Sequence, residues 1–306
     1  MASVAVVGAG AIGGVLAALA ADRGHEVTVC VRTPFEVLTV TTDDVEREVP
    51  VTVATDPGAV GPVDWVVLAT KAQDTASAAG WLGALTRAGT VVVVAQNGVD
   101  HAARVDGLVD PGAVVLPASV RLGAEAVAPG RIVHRSWAQL TVPAGDAADG
   151  LAALYGADPT GAPGVPGGLA VVATDDLTTV LWRKLLSNAV ANPITALTGR
   201  RNDVLTEPAT RALVVDLARE VMAVGRSVGA ALTDDDVDGL VALYDGMPPD
   251  LGTSMLYDRL AGRPLEHEYL TGAVVATGHR TGVATPLNSA VLALLRGVRA
   301  PNGQVS

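Results

Sequence analysis

An α/β half followed by an all-helical half is the architecture this 306-residue sequence predicts. Three observations predict it. The first hundred residues alternate short β-branched runs with helical stretches, the pattern of a parallel sheet. A glycine-rich loop, Gly8-Ala9-Gly10-Ala11-Ile12-Gly13, directly follows the first of those runs. From Asp175 onward the apolar spacing is helical.

Element by element, Ser3–Val7 reads as a strand, 12–23 as an alanine-rich helix and 26–31 as a second strand. Residues 49–54, 64–70 and 90–95 read as the third, fourth and fifth strands, nearly continuously apolar as strands buried on both faces are. Segments 114–120, 131–135 and 139–142 are expected to extend the sheet. The Pro- and Gly-rich stretch 157–168 reads as a linker, and 169–173 as a last strand. Helices are expected over 175–191, 207–228, 234–244, 253–260, 266–280 and 288–296, with a disordered tail from Ala300. The domain boundary falls at 172, giving units 1–172 and 173–306.

Composition narrows the function. The chain is 49% hydrophobic but 3% aromatic, so its core is built from Val, Leu and Ala. A net charge of −11 argues against sequence-independent nucleic-acid binding. No apolar run reaches the roughly eighteen residues of a membrane helix. Met1 leads into the first strand without a basic n-region, which predicts a cytoplasmic protein. The one cysteine, Cys30, lies in a strand and is expected to fill core. The five histidines are scattered, and no metal-ligand spacing is present.

The glycine loop fits G-x-G-x-x-G between a strand and a helix, the context of a Rossmann-type dinucleotide-binding turn. Gly8, Gly10, Ala11, Ile12 and Gly13 are its candidate cofactor contacts. Past the second strand stands Arg32, where an acidic residue would bind the ribose hydroxyls of NAD. A cation there suits the 2′-phosphate of NADP(H).

The chain has two lysines, Lys71 and Lys184, against nineteen arginines. Arginine supplies charge but cannot release a proton near neutrality; a tuned lysine can. Lys71 follows the fourth strand, and Gln96-Asn97-Gly98 follows the fifth, both at the edge where open α/β sheets bind ligand. Lys184, Asn188 and Asn192 recur every four residues and share one helical stripe.

These residues resemble the ketopantoate reductases (2-dehydropantoate 2-reductases). The carriers are the glycine loop, Thr70-Lys71-Ala72, Gln96-Asn97-Gly98 and Trp182-Arg183-Lys184-Leu185 with Asn188, Asn192 and Pro193. Further on come Ser254-Met255 with Asp258, Arg263 and Glu266, then Gly282-Val283-Ala284-Thr285-Pro286-Leu287-Asn288. The resemblance implies a Rossmann domain followed by a helical domain of the 6-phosphogluconate dehydrogenase C-terminal type. It implies NADPH-dependent reduction of a small 2-keto acid, feeding pantothenate synthesis, and leaves a homodimer open. Lys184 then matches the general acid and Glu266 the carboxylate that engages the substrate hydroxyl. Asn188, Asn192 and Ser254 match substrate-binding side chains, while Asn97 and Lys71 match residues near the nicotinamide. Ser254 has a helix cap as its alternative role, and Asp258 a surface ion pair with Arg259 or Arg263. Two other functions stay open: reduction of a different 2-keto acid or imine, and NADP(H) sensing without turnover.

Overall fold

A computed structural model describes residues 1–156 and 169–298. The expected linker 157–168 and the tail from Ala300 lie outside the described residues. The chain forms two compact units, Met1–Leu177 and Thr178–Ser306.

In chain order the strands are β1 (Ser3–Val7), β2 (Glu26–Cys30), β3 (Leu38–Thr42), β4 (Val45–Val49), β5 (Thr52–Ala54) and β6 (Trp65–Leu68). They continue with β7 (Val91–Val94), β8 (Val114–Pro117), β9 (Ser119–Ala128), β10 (Arg131–Pro143) and β11 (Leu169–Thr174). Six form a parallel sheet in the order β5-β2-β1-β6-β7-β8. The chain leaves β1 toward β2 and returns on its other side at β6, so the strand order reverses between β1 and β6. Such a reversal is where open sheets bind ligand, beyond the strands' carboxyl ends. Val4 and Val6 face one core while Ala5 and Val7 face another, which is why β1 reads as an unbroken apolar run. Helix α1 (Ala11–Asp22) packs on the first face and α2 (Ala79–Leu85) on the second, followed by α3 (His101–Val105).

Several sequence expectations need correction. The single third strand at 49–54 is two strands, because Pro50 has no N–H to continue a ladder. The segment before it forms the hairpin β3–β4, turned by Asp43 and Asp44, whose φ angles are 49° and 62°. A two-residue turn with both φ positive matches strand twist, and aspartate tolerates that region. Segment 114–120 also splits after Pro117: β8 ends the parallel sheet and β9 starts a second one. The runs 131–135 and 139–142 are one strand, β10, with an irregularity between His134 and Ala138. β9 runs antiparallel along one edge of β10; β3 and β11 divide its other edge. Helix α4 (Asp146–Tyr155) completes this unit.

The second unit is helical: α5 (Leu177–Thr198), which begins at the end of the first unit, α6 (Asp203–Thr206), α7 (Pro208–Ser227), α8 (Asp234–Gly246), α9 (Ser254–Leu260), α10 (Thr271–Thr281) and α11 (Pro286–Arg296). Helix α7 is its centre, touching α6, α8, α10 and α11 through a stripe of Val214, Leu217, Ala218 and Val221. The Thr285-Pro286-Leu287-Asn288 motif is architectural. The Glu220 carboxylate on α7 accepts from the Leu287 and Asn288 backbone N–H groups, each at 2.9 Å, and from Asn288 Nδ2 at 2.8 Å. An anion at a helix N-terminus satisfies orphan donors and favours the dipole.

Candidate active site

In the first unit, the glycine loop joins β1 to α1. Gly8 has φ +95°, and a Cβ there would stand 2.9 Å from the Thr70 backbone nitrogen. A Cβ on Gly13 would come within 1.9 Å of the Gly8 carbonyl oxygen, so only glycine closes the turn. Around Gly10, by contrast, nothing lies within 4 Å of where a Cβ would be. Gly10 is the N-cap of α1, and no side chain caps that helix. Bare backbone, open space and uncapped N–H groups fit a diphosphate, with Ala11 and Ile12 half-buried in the first turn.

Arg32 lies just past β2 and is exposed; its guanidinium is 3.4 Å from the Asp74 carboxylate. Lys71 follows β6 as the N-cap of a short 3-10 turn, Ala72–Asp74, and is half-buried. Asn97, also half-buried, follows β7. The glycine loop, Arg32, Lys71 and Asn97 all follow carboxyl ends of neighbouring strands in one parallel sheet. Cys30 is buried, and burial pushes its thiol up to about 12, which suits core filling rather than nucleophilic chemistry.

In the second unit, α5 carries Lys184, Asn188 and Asn192. The helix does not stop before Pro193 as expected; it continues to Thr198. Proline forfeits one backbone bond. The buried run from Ala189 to Ala196, and hydroxyls of Thr195 and Thr198 bonded back to the preceding turn, hold the helix together. Lys184 and Asn188 are half-buried and Asn192 is buried. Among the described residues, no hydrogen bond reaches the side-chain amide of Asn188 or Asn192. Each amide carries donors and an acceptor, so this stripe has capacity for a ligand's oxygens.

Ser254 is exposed in the first turn of α9 and is not its cap. Thr253 holds that position, its hydroxyl accepting from the Leu256 N–H at 3.2 Å. The Thr-Ser order just before a helix is a signal that could have identified it. Glu266 is 5% exposed and precedes a 3-10 turn, His267–Tyr269, whereas the expected helix starts only at Thr271. The expected pair of Asp258 is with Arg263, whose Nε donates at 2.8 Å, but the carboxylate side chain is 6% exposed and so is buried rather than at the surface. Glu268 accepts two bonds from Arg296, at 2.6 and 2.8 Å. Among the described residues there is no cluster of metal-binding side chains and no helix long and apolar enough to cross a membrane.

A dinucleotide cradle on a parallel sheet, with a helical unit bearing lysine, asparagines and a buried glutamate, defines an NAD(P)-dependent oxidoreductase. The family described as "Ketopantoate reductase PanE/ApbA" matches residues 4–147, and its C-terminal counterpart matches residues 176–299. The chain is 39% identical to the 2-dehydropantoate 2-reductase of Caulobacter vibrioides, over 96% of this chain and 98% of that one. It is 39% identical to the Mycobacterium tuberculosis enzyme of the same name, over 95% and 96%. The crystal structure of a PanE/ApbA family ketopantoate reductase from Ralstonia eutropha JMP134 matches with TM-score 0.84 and 29% identity, over 97% of this chain and 98% of that one. The chain belongs to the ketopantoate reductase family.

Proposed function

We propose that the protein reduces 2-dehydropantoate to pantoate with NADPH, with Lys184 as general acid. The observation that carries this is the α5 stripe, a half-buried ammonium followed at four-residue steps by two amides that no hydrogen bond reaches among the described residues. The bound dinucleotide supplies hydride. As the keto carbon is reduced, negative charge grows on its oxygen, and Lys184 both stabilises that charge and delivers the proton. An arginine could do only the first. Asn188 and Asn192 bind the substrate's polar groups. Ser254 holds its carboxylate without adding a charge that would alter the lysine. Glu266, being buried, binds the substrate hydroxyl and orients Lys184. Gly8, Gly10, Ala11, Ile12 and Gly13 hold the diphosphate, Arg32 the 2′-phosphate, and Lys71 and Asn97 flank the nicotinamide.

The choice of substrate is supported by full-length relatives named 2-dehydropantoate 2-reductase. A homodimer and a cytoplasmic setting belong to the same reading. The test is a panel of 2-keto acids and imines with NADPH and NADH, following loss of reduced-nicotinamide absorbance. 2-Dehydropantoate with NADPH should give the highest kcat/KM. A higher value for another keto acid would replace the substrate, and tight NADPH binding without turnover would make the protein a sensor.

A further inference from the structure

The loops after β6 and β7 are joined by one buried side chain. Gln96, directly before Asn97, is 3% exposed. Arg104 on α3 has a side chain only 5% exposed. A guanidinium so far from water is costly unless acceptors surround it, and it has donors only. Its acceptors include the Asp100 carboxylate, Gln96 Oε1 at 2.9 Å and the Asn97 carbonyl at 3.0 Å.

That donor-only neighbour fixes the Gln96 amide. Facing Arg104 with its oxygen, Gln96 must present Nε2 to the other loop. There Nε2 lies 2.9 Å from Thr70 Oγ1, 3.1 Å from the Thr70 carbonyl and 2.9 Å from Thr75 Oγ1. The Thr75 hydroxyl donates onward to the Ala72 carbonyl at 2.9 Å. His101 Nε2 holds the Gln96 backbone carbonyl at 2.8 Å. Thr70 and Ala72 are the immediate neighbours of Lys71, so both sides of that residue are tied to the β7 loop.

We propose that Gln96 is a positioning residue: its amide, oriented by Arg104, sets the loop bearing Lys71 against the loop bearing Asn97. This rests on the reading that Lys71 and Asn97 flank the nicotinamide. The Gln96 side-chain hydrogen bonds run to Thr70, Thr75 and Arg104 rather than to the glycine loop, so loosening them chiefly degrades alignment for hydride transfer and affects cofactor affinity less. Misalignment by a fraction of an ångström costs rate steeply.

The test uses Gln96→Glu, which keeps an acceptor for Arg104 but turns an oxygen toward the Thr70 carbonyl. Thr75→Val and Arg104→Met, which disturb the same network from other sides, serve if the first variant folds poorly. Each should lower kcat at least about tenfold while the NADPH Kd, read by fluorescence titration, stays within about threefold. The primary isotope effect with 4-deuterated NADPH should rise as hydride transfer becomes limiting. Amide hydrogen exchange over 70–75 should accelerate without any substrate present. A lower melting midpoint with unchanged kcat, isotope effect and exchange would overturn the proposal and leave Gln96 a structural residue. A wild-type protein inert toward every keto acid would defeat the reading of the reaction instead, and the exchange measurement would still decide the coupling.

Discussion

The hydroxyls of Thr195 and Thr253 lie 2.7 Å apart and share a hydrogen bond. Thr195 donates its single proton to the Ala191 carbonyl at 2.8 Å. Because the Ala191 carbonyl can take the Thr195 proton, Thr253 is free to donate between them, while its oxygen accepts from the Leu256 N–H. The chain of bonds joins α5, three residues past Asn192, to the cap of α9, one residue before Ser254. Thr195→Val should cost about 1–2 kcal/mol in urea unfolding and raise the KM for the keto acid. Ser254→Ala, which removes neither cap nor core, should raise KM alone. An equal loss of stability in both variants would contradict this division of roles.

Lys184→Arg should retain NADPH binding and lose at least about two orders of magnitude in kcat, the usual worth of a positioned acid. Glu266→Ala should mainly raise KM, with a smaller fall in kcat. Steady-state kinetics beside cofactor titration separates these; near-normal turnover of the arginine variant would assign the proton to another group.

Arg32 is exposed, and its contact with Asp74 is a single one at 3.4 Å, so the guanidinium is easily redirected to a phosphate. Arg32→Ala should narrow the ratio of kcat/KM for NADPH over NADH by about tenfold or more. Asp74→Asn, removing the competing anion, should tighten NADPH a fewfold. An unaltered ratio in the first variant would place phosphate recognition elsewhere.

Glu220 satisfies three donors at the start of α11. Glu220→Ala strands two backbone N–H groups and removes a favourable charge, so a loss of about 2–3 kcal/mol is expected. Chemical denaturation measures it. A change below about 0.5 kcal/mol, the scale of an unremarkable surface substitution, would show that water replaces the cap.

Acid should destabilise the second unit in two steps. Burial holds the His267 imidazole below its ordinary 6.5, so below that pH the unfolded chain binds the proton first and stability falls. The hydrogen bond from Arg296 holds Glu268 below its ordinary 4.5, so its contribution is complete above that pH and is lost on further acidification. Melting midpoints against pH should show both windows. His267→Asn should flatten the upper one and Glu268→Gln the lower; retention of both slopes in the double variant would assign them to other groups.

Much of the candidate site was legible because its geometry is local. The G-x-G-x-x-G spacing specifies a turn that tolerates no side chain at Gly8 or Gly13. The four-residue spacing from Lys184 to Asn192 requires only a helix. The second sheet was not legible, since β9, β10 and β3 are assigned by pairing across distant sequence, and a buried strand reads alike in either sheet. Asp43-Asp44 lacked the glycine that usually marks a two-residue hairpin, and Pro193 read as a stop because its cost is local whereas the burial offsetting it is not.

By itself the sequence determined which residues could carry chemistry: two lysines where arginine was otherwise used, a glycine turn, and polar groups set at helical intervals among apolar ones. Tertiary structure alone decided which supporting groups hold them. It gave Glu220 to the start of α11 and locked Gln96 between Arg104 and Thr70. Both outcomes depend on partners distant in the chain, and such pairings leave no periodic trace in sequence.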